Sequence, residues 1–124
     1  KNAQKAEKRY LKIKLGYEDV LIDLQNVIYI EKRRNQCVFH KRDEEISCYE
    51  PLKKIYEKLD HDMFMYTHQG YIANFNHIKE VKKDVVCFGR GMEVPLSRRY
   101  HDQIKELHLD KIRRAYKDQK ELEK

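Results

Sequence analysis

The sequence has no apolar run longer than four residues; Val27-Ile28-Tyr29-Ile30 and Val85-Val86-Cys87-Phe88 are among the longest. A bilayer-crossing helix needs about 18, so none is encoded. The basic, polar start from Lys1 to Arg9 has no apolar segment behind it, which excludes a secretory signal in this stretch. With no initiator methionine, the expectation is a processed chain or, by preference, a piece excised from a longer protein. Aliphatic hydroxyl side chains are scarce: Ser47, Ser97 and Thr67, with neither serine in a G-x-S-x-G elbow. Gly89-Arg90-Gly91 reads as a turn, because no G-x-G-x-x-G or G-x-x-x-x-G-K follows a strand. Asp60-His61-Asp62 directly follows a helix end, where polar residues are ordinary, and makes a poor acid–base pair. The cysteines, Cys37, Cys48 and Cys87, are odd in number and lie far apart in apolar-rich segments without a C-x-x-C. They read as reduced core thiols of a cytoplasmic protein rather than a disulfide framework or a zinc site. Catalysis, a metal and a cofactor are therefore not expected.

What is present fits one small domain. The chain has 124 residues, of which 39% are charged, well above the ~25% usual for soluble proteins. Leu, Ile, Val and Phe still make up a quarter of it, above the ~20% floor below which chains tend to stay unfolded. The net charge of +6 comes almost wholly from residues 1–9 and 110–124, and the stretch between is nearly balanced. A nucleic-acid partner cannot be argued from net charge, only from local clusters.

Short runs of two-residue periodicity separated by turn signals every eight to twelve residues predict a mainly β fold. Tyr10–Leu15 places Leu11, Ile13 and Leu15 on one face, and Gly16 turns the chain into a return strand at Val20–Ile22. Asp23-Leu24-Gln25-Asn26 reads as a single helical turn before a strand at Val27–Glu31. Arg33-Arg34-Asn35 is a loop, Gln36–Lys41 pairs back as a hairpin, and Glu45–Tyr49 follows. The period then changes: Leu52, Ile55, Tyr56 and Leu59 fall at helical spacing behind Pro51, a short amphipathic helix. Strands resume at Met63–Thr67, Ile78–Val81, Val85–Phe88 and Met92–Leu96. Ser97 caps a C-terminal helix carrying Ile104, Leu107 and Ile112, with fraying expected from about Ala115. Arg98 and Arg99 in its first turn oppose the helix dipole, so helix stability does not explain them, whereas an external anion would.

Met65-Tyr66-Thr67-His68-Gln69-Gly70-Tyr71-Ile72-Ala73-Asn74, His77-Ile78-Lys79-Glu80-Val81 and Pro95-Leu96-Ser97-Arg98-Arg99-Tyr100, together with Val27-Ile28-Tyr29-Ile30-Glu31, carry the decisive pattern. In that order they resemble the LytTR domain, the LytR/AlgR-type DNA-binding module of bacterial response regulators, over about residues 10–107. The resemblance implies an elongated, mostly β fold of short antiparallel strands with one short helix and a C-terminal helix. Its loops would send side chains into successive major grooves of double-stranded DNA. Residues 1–9 would be a linker remnant, 10–109 the domain, and 110–124 a helical or frayed tail. In the intact protein the resemblance predicts a receiver domain and paired binding at direct-repeat sites, with this domain alone a monomer or weak dimer.

Carried over by position, the contacting segments are Arg33-Arg34-Asn35-Gln36-Cys37, His68-Gln69 and Arg98-Arg99-Tyr100. Arginine grips guanine O6 and N7 with two donors and glutamine pairs with adenine N6 and N7, so Arg99 and Gln69 are the expected base readers. The other basic side chains are expected on phosphates. Cys37 departs from the family's bulkier polar residue, and Gly70 from its serine or asparagine, which leaves more to Gln69. The plain alternatives are a salt bridge from Arg98 or Arg99 to Asp102 or a neighbouring Glu, and a packed, hydrogen-bonded role for His68. Asn74 reads as tying a tight turn, with Tyr71 and Ile72 in the core. Two other functions stay open from the residues: a basic module that binds an acidic protein, and a single-strand binder, which would want aromatics on an exposed sheet face.

Overall fold

Alternation decides the first hairpin. In β1 (Tyr10–Leu15) Leu11 and Ile13 are buried while Tyr10, Lys12 and Lys14 face solvent, and β2 (Glu18–Asp23) pairs with it antiparallel, Tyr10 opposite Asp23 and Leu15 opposite Glu18. The computed structural model describes residues 9–122, so the proposed linker lies outside the described residues except for Arg9. Arg9 is tied to the hairpin, its guanidinium 3.1 Å from the Asp23 carboxylate and its carbonyl accepting from the Leu24 amide.

A 3-10 turn, Leu24–Asn26, leads into the central sheet. It contains β3 (Tyr29–Arg33), β4 (Gln36–His40), β5 (Glu45–Cys48), β6 (Phe64–His68) and β7 (Tyr71–Asn74), in the order β5-β4-β3-β7-β6, antiparallel throughout. Helix α1 (Leu52–Glu57) joins β5 to β6 behind Pro51, and Leu52, Ile55 and the following Leu59 are buried while Lys53 and Lys54 point outward. Beyond β7 a second 3-10 turn, Phe75–His77, precedes a three-stranded sheet of β8 (Glu80–Val81), β9 (Val85–Gly89) and β10 (Met92–Pro95). Helix α2 (Arg98–Leu122) closes the described chain.

The central sheet is covered on both faces. One carries Ile30, Phe39, Cys37, Cys48, Phe64 and Ile72 against the first hairpin and α1; the other packs Tyr29 and Ala73 with Ile78, Val86, Phe88, Val94 and Ile104 from the second sheet and α2. Burial on both sides explains β7, which the sequence pattern did not mark as a strand. Its burial is continuous from Ile72 to Asn74, without alternation, as in a strand with no solvent face.

Helix α2 runs without a break to Leu122, where fraying from Ala115 was expected; residues 123 and 124 lie outside the described residues. Its first half is held by Ile104 and His108 and by Lys111, whose ammonium donates to the Phe75 and Ile78 carbonyls at 3.2 Å. From Ile112 every described residue is exposed, and local pairs sustain the helix: Arg113 with Asp110 at 2.7 Å, and the Lys120 ammonium 5.1 Å from the Tyr116 ring centre.

Among the described residues, His108 Nδ1 is a buried polar atom without a partner. Burial, with like charge from Lys111 and Lys105, holds the imidazole below its ordinary value of 6.5. Between that depressed value and 6.5 the unfolded chain binds a proton that the folded chain does not, so stability falls as pH falls through this window. Thermal unfolding at a series of pH values is expected to show a smaller drop from about pH 7.5 to about 5.5 for His108→Leu than for the parent chain. Equal drops would remove His108 from the acid sensitivity of the fold.

Candidate functional site

Three turns meet at one end of the central sheet. The β3–β4 hairpin closes at Arg33 opposite Gln36, leaving Arg34 and Asn35 as its tip. On the other side of β3, the Lys32 amide donates to the Gly70 carbonyl at 2.8 Å, which brings the β6–β7 turn with His68 and Gln69 alongside that tip. The Ser97 amide then donates to the Thr67 carbonyl at 2.8 Å, so the first turn of α2, with Arg98, Arg99 and Tyr100, starts beside the end of β6. Backbone hydrogen bonds thus gather all three segments selected from the sequence.

Their side chains are not equivalent. Arg34 and Asn35 are exposed, and Arg34 adopts a left-handed backbone (φ 59°) that glycine or asparagine takes more easily. Arg33 is committed elsewhere: its guanidinium lies 2.7 Å from Glu31 and 3.2 Å from Glu45. His40 Nε2 meets the same Glu31 carboxylate, and these partners outweigh burial to hold that carboxyl below its usual range. Gln36 is half-buried at the hairpin base.

Cys37 requires a correction as a contacting residue. Its side chain is fully buried, its thiol donates to the Glu50 carbonyl at 3.0 Å, and burial pushes its pKa up to about 12. It faces inward because strand alternation puts it on the side of Ile30 and Phe39, the face packed against the first hairpin. Its bond to Glu50 holds the β5–α1 connection against the sheet.

His68 is half-buried and its Nδ1 accepts from the Gly70 amide at 3.1 Å, which matches the packed alternative and fixes the turn that displays the exposed Gln69. A Cβ at Gly70 would meet only ordinary contacts, 3.9 Å from His68 Nδ1 and 4.0 Å from Lys32 Cβ, so sterics do not force glycine there. Arg98 and Arg99 are exposed, and neither has an ion pair among the described residues; Asp102 is occupied by His101 Nδ1 at 3.0 Å. The Arg99 guanidinium lies 5.3 Å from the Tyr100 ring centre. Tyr100 itself is half-buried, stacked 6.1 Å from Tyr66, and serves chiefly to seat the helix.

The structure adds residues that the sequence did not single out. A cleft of about 460 Å³ opens between the β3–β4 tip and the β5–α1 connection, lined among others by Lys32, Arg34, Gln69, Tyr49 and Lys53. Tyr49 is 74% exposed. No local signal marks it, since it lies just past the end of a four-residue strand and its neighbours come from elsewhere in the chain. Among the described residues no cluster of His, Cys, Asp and Glu could hold a metal ion, and no helix is long and apolar enough to cross a membrane.

Residues 17–109 match the family described as the LytTr DNA-binding domain. Two curated relatives are both described as sensory transduction protein LytT. The one from Bacillus anthracis is 26% identical over 107 residues, covering 82% of this chain and 44% of the relative; the one from Bacillus cereus is 27% identical over 93 residues, covering 71% and 38%. The chain therefore spans less than half the length of these relatives. Among solved structures, a LytTr DNA-binding domain from Bacillus cereus superposes with a TM-score of 0.68 at 22% identity, covering 81% of this chain and 96% of that one, a likeness of fold.

Proposed function

Because this chain belongs to the LytTr DNA-binding domain family, we propose that it recognises specific double-stranded DNA sequences as the output domain of a response regulator that controls transcription in the cytoplasm. The observation that carries this is the meeting of the β3–β4 tip, the β6–β7 turn and the first turn of α2 at one end of the sheet, held by the Lys32–Gly70 and Ser97–Thr67 backbone bonds. Arg99 and Gln69 read base edges there, while Arg34, Asn35 and Arg98 bind the backbone and fix the register. Gln36, His68 and Tyr100 support these contacts from half-buried positions, and Arg33 stays with its carboxylates. In the intact protein a receiver domain pairs two copies on direct-repeat sites, in keeping with relatives described as sensory transduction proteins.

Selection of bound duplexes from a random pool tests this. One enriched motif is expected, bound log-linearly more weakly as salt rises. A pool without enrichment, combined with displacement of bound duplex by polyglutamate at matched charge, would replace the DNA assignment with an acidic protein partner.

A further inference from the structure

We propose that the cleft beside the base-reading turns is a seat for the sugar–phosphate backbone of the bound duplex, which makes the β5–α1 connection a fourth contacting segment through Tyr49 and Lys53. This rests on the duplex-binding function above and assigns the cleft a role within it. Three cations line the cleft, Lys32, Arg34 and Lys53, and none has an ion pair among the described residues. Among the described residues the one carboxylate at its wall, Glu50, is taken by Lys58 at 3.0 Å, a residue outside the cleft. The uncompensated charge in the cleft is therefore positive, on a domain whose centre is otherwise nearly neutral.

Tyr49, left mostly bare by folding, offers a phenolic donor to a phosphate oxygen, and the opposite side of the cleft carries Gln69. A strand whose base meets Gln69 thus has a cationic channel directly beside it for its own backbone. The wall is also rigid. The Cys37 thiol holds the Glu50 carbonyl at 3.0 Å, and the Lys54 and Ile55 amides both donate to the Pro51 carbonyl, so Lys53 stands on a formed helical turn.

Phosphate contacts and base contacts leave different signatures, and the salt dependence of duplex binding separates them. The parent chain is titrated with its preferred duplex and with an unrelated duplex over a range of salt concentrations. Lys53→Gln is expected to make the slope of log affinity against log salt shallower by about 0.9 and to lower affinity about eightfold near 0.1 M salt. The loss should be equal on both duplexes, so the selectivity ratio stays the same. Arg34→Asn should do the same while keeping or raising the unfolding temperature, because asparagine tolerates the left-handed backbone. Lys117→Gln, on the exposed second half of α2, should leave the slope unchanged.

An unaltered slope for Lys53→Gln, or an equal change for Lys117→Gln, would overturn the backbone seat while leaving DNA binding by the domain intact. A parent chain that binds neither duplex would overturn the seat and the DNA function together.

Discussion

Arg99→Ala is expected to cost about 1 to 3 kcal/mol of affinity on the preferred duplex and to relax selectivity at one base pair. The reasoning starts from helix physics. A guanidinium in the first turn of a helix faces the positive end of the dipole and gains nothing from it. Arg99 also has no carboxylate partner among the described residues, and its guanidinium lies by the Tyr100 ring. Under the proposed function this exposed guanidinium offers its two parallel donors to O6 and N7 of a guanine. Arg99→Lys keeps the charge and loses the fork, so it should retain much of the affinity while losing the discrimination. Binding to a panel of single-base-pair variants is the measurement. If Arg99→Ala weakens every duplex equally, Arg99 holds a phosphate and the base reader lies elsewhere.

The largest effect on stability is expected at Asn74. It is fully buried, its Oδ1 accepts from the Asn76 amide at 3.0 Å, and its Nδ2 donates to the Val27 carbonyl at 2.9 Å and the Leu24 carbonyl at 3.3 Å. One side chain thus joins the two 3-10 turns that enter and leave the central sheet. Asn74→Ala strips a donor from buried carbonyls and an acceptor from a turn amide, each loss worth about 1 to 3 kcal/mol. A total of roughly 2 to 4 kcal/mol is expected, enough to lower the unfolding midpoint by roughly 10 °C or more. Asn74→Asp should be worse than alanine, because it sets a carboxylate oxygen against two carbonyls that need donors. Urea unfolding of both variants checks the order. A loss below about 1 kcal/mol for alanine would mean that water replaces the amide.

Much of this arrangement is legible in the sequence, for identifiable reasons. β1 is readable to its ends because one face is wet and the other dry, and α1 because Leu52, Ile55 and Leu59 recur at helical spacing behind a proline. The turn-tying role of Asn74 follows from asparagine chemistry and holds in the structure. β7 is hidden because burial on both faces erases alternation, and the second half of α2 because its support is local pairs on a polar surface. The segment 33–37 shows the limit most clearly. Nothing local separates Arg33, neutralised by Glu45 twelve positions away, from Arg34, which is free of carboxylates among the described residues, or shows that Cys37 faces inward. Tyr49 and Lys53 escape for the same reason: their relevance comes from a neighbour, the β3–β4 tip, that only strand pairing supplies.

Anchoring the three gathered turns by main-chain bonds such as Lys32–Gly70 and Ser97–Thr67 separates where a residue stands from what it is. Exchanges at the exposed positions 34, 69 and 99 leave the ladder beneath them untouched, since none of those side chains contributes to it. Under the proposed function, new target sequences would thus be open to descendants of this domain by one substitution at a time, whereas the distance between the inspected base pairs would be inherited unchanged.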